Sequence, residues 1–236
     1  MRTYSSVRSL RMALGWLLGA SALLALVAGA FDLAEIRLLD RAIAGLPATA
    51  AETSANDARQ SLIEGIQLVM LIATGIVFIV WLHRAYTNLR ALGAKKLRFG
   101  PGWAIGGWFV PIWSAFRPKQ IVNDVWRGSD PELAKSYGNI WDRPVPGWWM
   151  IWWLLWGIPF SVGIFFLPLA GDPTSPQELR VAAIGDVVGQ ALVVVTAVLA
   201  VLIVGAVTRR QDERATRAFR ARASRRSRGR TRASLG

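Results

Sequence analysis

Glu64, Gln67, Asp186 and Gln190 are the side chains within or beside the apolar stretches of this chain whose types and spacing suit ion chemistry. Glu64 and Gln67 are three residues apart, and Asp186 and Gln190 are four apart, so in helices each pair shares a face. Carboxylates buried with amides at membrane depth bind cations or relay protons. The simpler alternative is that Glu64 and Asp186 sit at outer helix ends and reach water. Other chemistry is scarce. There is no cysteine, which removes thiolate catalysis, disulfides and cysteine metal sites. His83 is the single histidine, so no histidine cluster for zinc or iron exists. It ends an apolar run with no Ser or Cys partner placed by sequence. Asp124, Asp130 and Asp142 are scattered without metal-ligand spacing. No catalytic residue, metal site or cofactor is expected, and an enzyme is not the expected class.

The elements that position these residues are apolar and long. Met12 to Phe31, Gly65 to Leu82 and Pro144 to Gly171 are uncharged runs, and Val181 to Thr208 is broken only by Asp186. About 20 apolar residues cross the hydrocarbon core. Together with 53% hydrophobic residues and a net charge of +13, they exclude an ordinary soluble domain. The first run follows Arg2, Arg8 and Arg11, but it is longer than a signal-peptide core of roughly 7–15 residues. It is expected to be an uncleaved anchor.

Phe99 to Phe116 is a fifth apolar run, interrupted by Gly100, Pro101, Gly102, Gly106, Gly107 and Pro111. Such a run makes a poor continuous helix. Charge decides whether it crosses, because Lys/Arg-rich loops stay cytoplasmic. The N-terminal arm has three arginines and no acid. The 83–143 region has ten Lys/Arg against four acids, and the chain after Thr208 has eleven arginines against two. The 32–61 loop, by contrast, has three arginines against five acids, and the 171–180 loop has one against two. If the Phe99 run does not cross, 24 of the 28 Lys/Arg are cytoplasmic and both acidic loops lie outside. If it crosses, either only nine remain inside or Lys95, Lys96 and Arg98 are stranded outside.

The expected fold is therefore an all-α membrane protein of four transmembrane helices. The spans fall at about 12–31, 63–82, 148–169 and 186–207, within a membrane domain over 1–207. A Gly/Pro/Trp-rich re-entrant or interfacial element, about 99–127, lies on the cytoplasmic side. Within it the spacing predicts an amphipathic helix from Arg117, with Ile121, Val122, Val125 and Trp126 on one face. Ten of the twelve tryptophans lie between Trp103 and Trp156, as in an interfacial aromatic belt. Gly15/Gly19 and Gly185/Gly189 permit close helix approach. Residues 208–236 are expected to begin helical and to end as a disordered Arg-rich cytoplasmic tail.

Arg84-Ala85-Tyr86-x-Asn88-Leu89 after the second run, Gly107-Trp108-Phe109-Val110-Pro111, Arg117-Pro118 and the span opening Trp148-Trp149 occur in an order that resembles the bacterial membrane family "domain of unknown function 4328". The resemblance covers roughly 63–207 and implies a multi-pass membrane protein of the bacterial plasma membrane. It brings no activity and no catalytic residue.

The functional expectation is a membrane-embedded interaction or regulatory protein with both termini cytoplasmic. Its basic face would use Arg84, Tyr86, Asn88, Trp108, Pro111, Arg117, Asn123 and Asp124. Expected partners are the bilayer, with anionic headgroups meeting the Arg-rich tail, and an unidentified protein. Nucleic acid is not expected, since Phe219 is the tail's lone aromatic. The alternative is a small oligomeric transporter or channel that uses the re-entrant segment.

Overall fold

In the computed structural model residues 4–46, 48–94, 97–134, 140–157 and 175–233 are described, and these are all helix, turn or loop. Helix α1 covers Arg8–Ile43 and α2 covers Ala50–Ala91. A single turn, α3, covers Trp103–Gly106, and α4 covers Arg117–Gly128. Helix α5, Trp148–Trp152, runs into a π-helical turn at Trp153–Gly157. The last helix, α6, runs unbroken from Pro176 to Ala233, 58 residues.

Local chemistry explains the ends. At α2 the Thr49 hydroxyl accepts from the Glu52 N–H at 3.2 Å, and the Glu52 carboxylate accepts from the Thr49 N–H at 2.8 Å. Ser175 and Glu178 repeat this reciprocal cap at α6, with Pro176 in the first turn, where a missing N–H costs nothing. Gly93 ends α2 at φ +81°, a left-handed backbone that a β-carbon disfavours.

Three helices, Arg8–Ile43, Ala50–Ala91 and the Pro176–Arg220 part of α6, are long and apolar enough to cross a membrane. Their apolar residues lie largely exposed, among them Trp16, Leu23, Leu68, Val69, Ile72, Val188 and Val198. In water such a surface would be an aggregation site; in a bilayer it is the lipid contact. Each helix outruns its predicted span, because the polar sequence beyond the apolar run stays helical. Of the predicted 148–169 span, Trp148–Gly157 is helical and 158–174 lie outside the described residues.

One expectation changes. The Arg-rich sequence after Thr208, expected to turn disordered, is helical to Ala233; 234–236 lie outside the described residues. Thr208, Gln211 and Arg214, three residues apart, are buried along one side of it, and Ala and Arg are good helix formers. Phe99–Phe116 forms no spanning helix: it is α3, turns and a 3-10 turn at Trp113–Ala115. The expected amphipathic helix is α4; Ile121, Val122 and Val125 of its apolar face are buried, and so is Asp124 of the other.

The chain divides into two compact units. Unit 1 takes Met1–Met12, Phe78–Trp149 and Leu202–Gly236; unit 2 takes Ala13–Val77 and Met150–Val201. Helices α1, α2 and α6 each contribute to both.

Candidate functional site

Unit 1 is built around buried polar side chains rather than a purely apolar core. Asn88, near the end of α2, is almost fully buried. Its amide pairs with the Ser5 backbone, accepting from the N–H at 3.1 Å and donating to the carbonyl at 2.8 Å. It also donates to Gln211 Oε1 at 3.3 Å, while Gln211 Nε2 donates to the Ala85 carbonyl at 2.8 Å. One residue thus ties the N-terminal arm, α2 and α6 together. One turn away, Trp81 Nε1 donates to Thr208 Oγ1 at 3.3 Å.

Tyr86 does the same for the next segment. Its hydroxyl donates to the Phe99 carbonyl at 2.9 Å and accepts the Phe99 N–H at 3.2 Å. Burial raises its pKa above the usual tyrosine value. Arg98 then reaches Asp124 of α4 at 2.6 Å. The Asp124 carboxylate is fully buried, and burial pushes its pKa up against the opposing pull of Arg98.

Arg214 of α6 closes the network. Its two Nη atoms donate to the Gly128 carbonyl ending α4 and, at 2.8 Å, to the Leu92 carbonyl following α2. Carbonyls at helix ends lack intrahelical donors, so one guanidinium satisfies two of them. Gly128 sits against α2 so closely that a β-carbon there would fall 2.9 Å from a Leu89 methyl. Asp130 takes Arg210 at 2.8 Å and Arg143 at 3.4 Å, and the Arg210 guanidinium stacks 4.0 Å over Trp126.

The residues expected to form an outward interaction face therefore divide. Arg84 and Pro111 are exposed. Tyr86, Asn88, Trp108 and Asp124 are buried and hold unit 1 together, so they are not an open surface. Trp108 meets Phe78 edge-on at 5.8 Å. Arg117 is half-buried in a cage of Phe99, Trp103 and Trp113 rings at 4.1–5.1 Å from its guanidinium. Asn123 is half-buried. Sequence reasoning missed Gln211 and Arg214, because they stand in a stretch that reads as a solvated basic tail. Their three-residue spacing with Thr208 was the available signal.

Unit 1 also carries an exposed apolar segment. Phe109 and Ile112, 70% and 78% exposed, stand out from the 103–116 segment beside exposed Ile105, Trp113 and Phe116. Ile112 holds φ +66°, costly for a β-branched residue.

In unit 2 Glu64 and Asp186 are both exposed. Their amide neighbours do meet: Gln67 Nε2 donates to Gln190 Oε1 at 2.8 Å, joining α2 to α6. Gln60, not singled out from sequence, donates to Asp32 at 3.2 Å and to Glu35 at 2.5 Å. Among the described residues no three carboxylate or histidine groups come close enough to hold a metal ion. His83 is half-buried at the end of the second apolar run.

A family model, Domain of unknown function (DUF4328), matches residues 45–209 of the 236. The chain belongs to this family. The match takes in Tyr86, Asn88, Arg98 and Asp124 but not Ser5, Gln211 or Arg214. No curated protein matches the chain, and no solved structure does.

Proposed function

We propose that this member of the DUF4328 family is a four-span protein of the bacterial plasma membrane that acts as a membrane-embedded interaction or regulatory protein, not as an enzyme. One observation carries the reading. The division of the fold into units coincides with a division of charge. The sequence ranges of unit 1 hold 24 of the 28 Lys/Arg and six of the 15 acids, net +18. Those of unit 2 hold four and nine, net −5. Excess Lys and Arg is retained in the cytoplasm, so unit 1 with both termini belongs on that side.

On this reading the spans are about 12–31, 63–82, 148–169 and 186–207. The Phe99–Phe116 segment is interfacial, its exposed Phe109 and Ile112 entering the headgroup layer while Arg117 stays among the rings. The tail meets anionic headgroups, and exposed Arg84 and Arg90 face a cytoplasmic partner. The test is in-cell photocrosslinking from position 87 in both the native chain and an Arg84→Glu, Arg90→Glu variant. A partner present in the first and lost in the second supports the reading. Identical products reject it.

A small oligomeric transporter or channel is the second reading. It is favoured by the Gln67–Gln190 contact, two polar side chains facing each other where the sequence is otherwise apolar. Ion flux in proteoliposomes that falls on Gln67→Leu, Gln190→Leu substitution would select it.

A further inference from the structure

We propose that Arg11 and Arg209 form a binding site for the phosphate of one anionic phospholipid at the membrane boundary; that this boundary is the cytoplasmic one rests on the orientation proposed above. Arg11 is the last charge before the Met12–Phe31 run, and Arg209 is the first after the run that ends at Thr208. They stand on different helices, α1 and α6, at the same end of the apolar sequence.

The structure brings the two charges together over one glycine. A β-carbon on Gly205 would lie 3.7 and 3.9 Å from Nε and Nη2 of Arg11 and 3.8 Å from Nη1 of Arg209. Like charges held near one point repel unless something negative lies between them. No carboxylate supplies it. Asp212, three residues beyond Arg209, has both oxygens in use: Tyr4 donates to Oδ1 at 2.7 Å and Arg8 Nε to Oδ2 at 2.7 Å. Among the described residues neither Arg11 nor Arg209 has an ion pair.

The two arginines line an open groove of about 450 Å³ with Arg8, Arg217 and Arg220, against which stand Asp212 and an exposed Glu213. A guanidinium presents paired N–H donors that match phosphate oxygens. Two guanidinium groups converging on one point suit a single bridging phosphate. The ligand is a lipid rather than a free anion because exposed apolar side chains continue from the site on the same helices, Met12 beside Arg11 and Leu202 two turns before Arg209. Acyl chains would lie along them.

The test uses the full chain purified in a neutral detergent, with retained lipid measured by native mass spectrometry against added phosphatidylglycerol or phosphatidylcholine. The wild type should hold one phosphatidylglycerol at least about tenfold more tightly than phosphatidylcholine, each basic group near an anionic surface contributing severalfold. Arg11→Gln, Arg209→Gln should abolish that preference, and Arg11→Lys, Arg209→Lys should keep part of it. Arg84→Gln, Arg90→Gln, which alters exposed arginines elsewhere on unit 1, should leave it unchanged. Equal retention of the two lipids overturns the proposal. So does an equal loss in the Arg84/Arg90 variant, or displacement of the lipid by millimolar inorganic phosphate. Binding in detergent does not depend on orientation, so a reversed topology would move the site to the other leaflet without removing it.

Discussion

Asn88 ties two other segments to its own helix with one amide, and its burial makes each bond costly to lose. Removing the side chain leaves the Ser5 N–H, the Ser5 carbonyl and Gln211 without that partner. Asn88→Ala should lower stability by about 2 kcal/mol, read as a fall in thermal midpoint in detergent. Asp124 makes a pH prediction. Burial raises its pKa from the ordinary 3.8, against Arg98. A carboxyl raised in the folded state contributes stability that is full below the ordinary value and is lost as pH rises through the raised one. Native protein should therefore lose stability at this site on going from acid toward neutral pH, and Asp124→Asn should flatten that part of the profile. An unchanged pH profile in the variant would count against a raised Asp124. Tyr86 and Asn88 stood out in the sequence as polar residues in a motif, but their direction did not. Motif residues on a basic loop read as an exposed face. Only the return of Ser5 and Gln211, 83 and 123 residues away, shows that they face inward.

At the scale of elements, Arg214 joins α6 to the ends of α2 and α4. Arg214→Lys keeps the charge and reaches one carbonyl at most, so about 1 kcal/mol should be lost; Arg214→Met leaves both carbonyls unsatisfied and should cost about 2–3 kcal/mol. Thermal unfolding of both variants checks the order, and equal loss would show that charge alone matters. The 103–116 segment has the opposite character: apart from Ala104 and Trp108, its strain and its large apolar side chains are outside. Ile112→Gly should relieve a positive φ at no loss of stability. Phe109→Asp with Ile112→Asp should weaken quenching of protein tryptophan by brominated lipid while leaving the thermal midpoint unchanged. The helical elements were legible because apolar runs of span length and capping pairs such as Thr49/Glu52 leave local marks. Helix α4 was legible from its apolar spacing. The helical continuation of α6 was not, because arginine-rich sequence reads the same whether it is solvated or packed, and burial of Thr208, Gln211 and Arg214 depends on α2 and α4 being in place.

For the whole molecule, we propose that the basic, polar part of unit 1 lies on the cytoplasmic side and that Phe99–Phe116 does not cross. The basic stretches of the sequence and the residues of unit 1 largely coincide, though charge bias and packing rest on different physics. The first reflects insertion against a field of anionic lipid and membrane potential. The second reflects packing and hydrogen bonding after insertion. The absence of native cysteine makes the claim directly measurable, since any introduced cysteine is the only thiol. Exposed Ser54, Asp142 and Thr216 would each be replaced by cysteine. A membrane-impermeant maleimide would then be applied to intact and to opened cells. Labelling of Ser54→Cys in intact cells, with Asp142→Cys and Thr216→Cys reacting only after opening, is the predicted result. Labelling of Asp142→Cys in intact cells would contradict it and make the Phe99 segment a span.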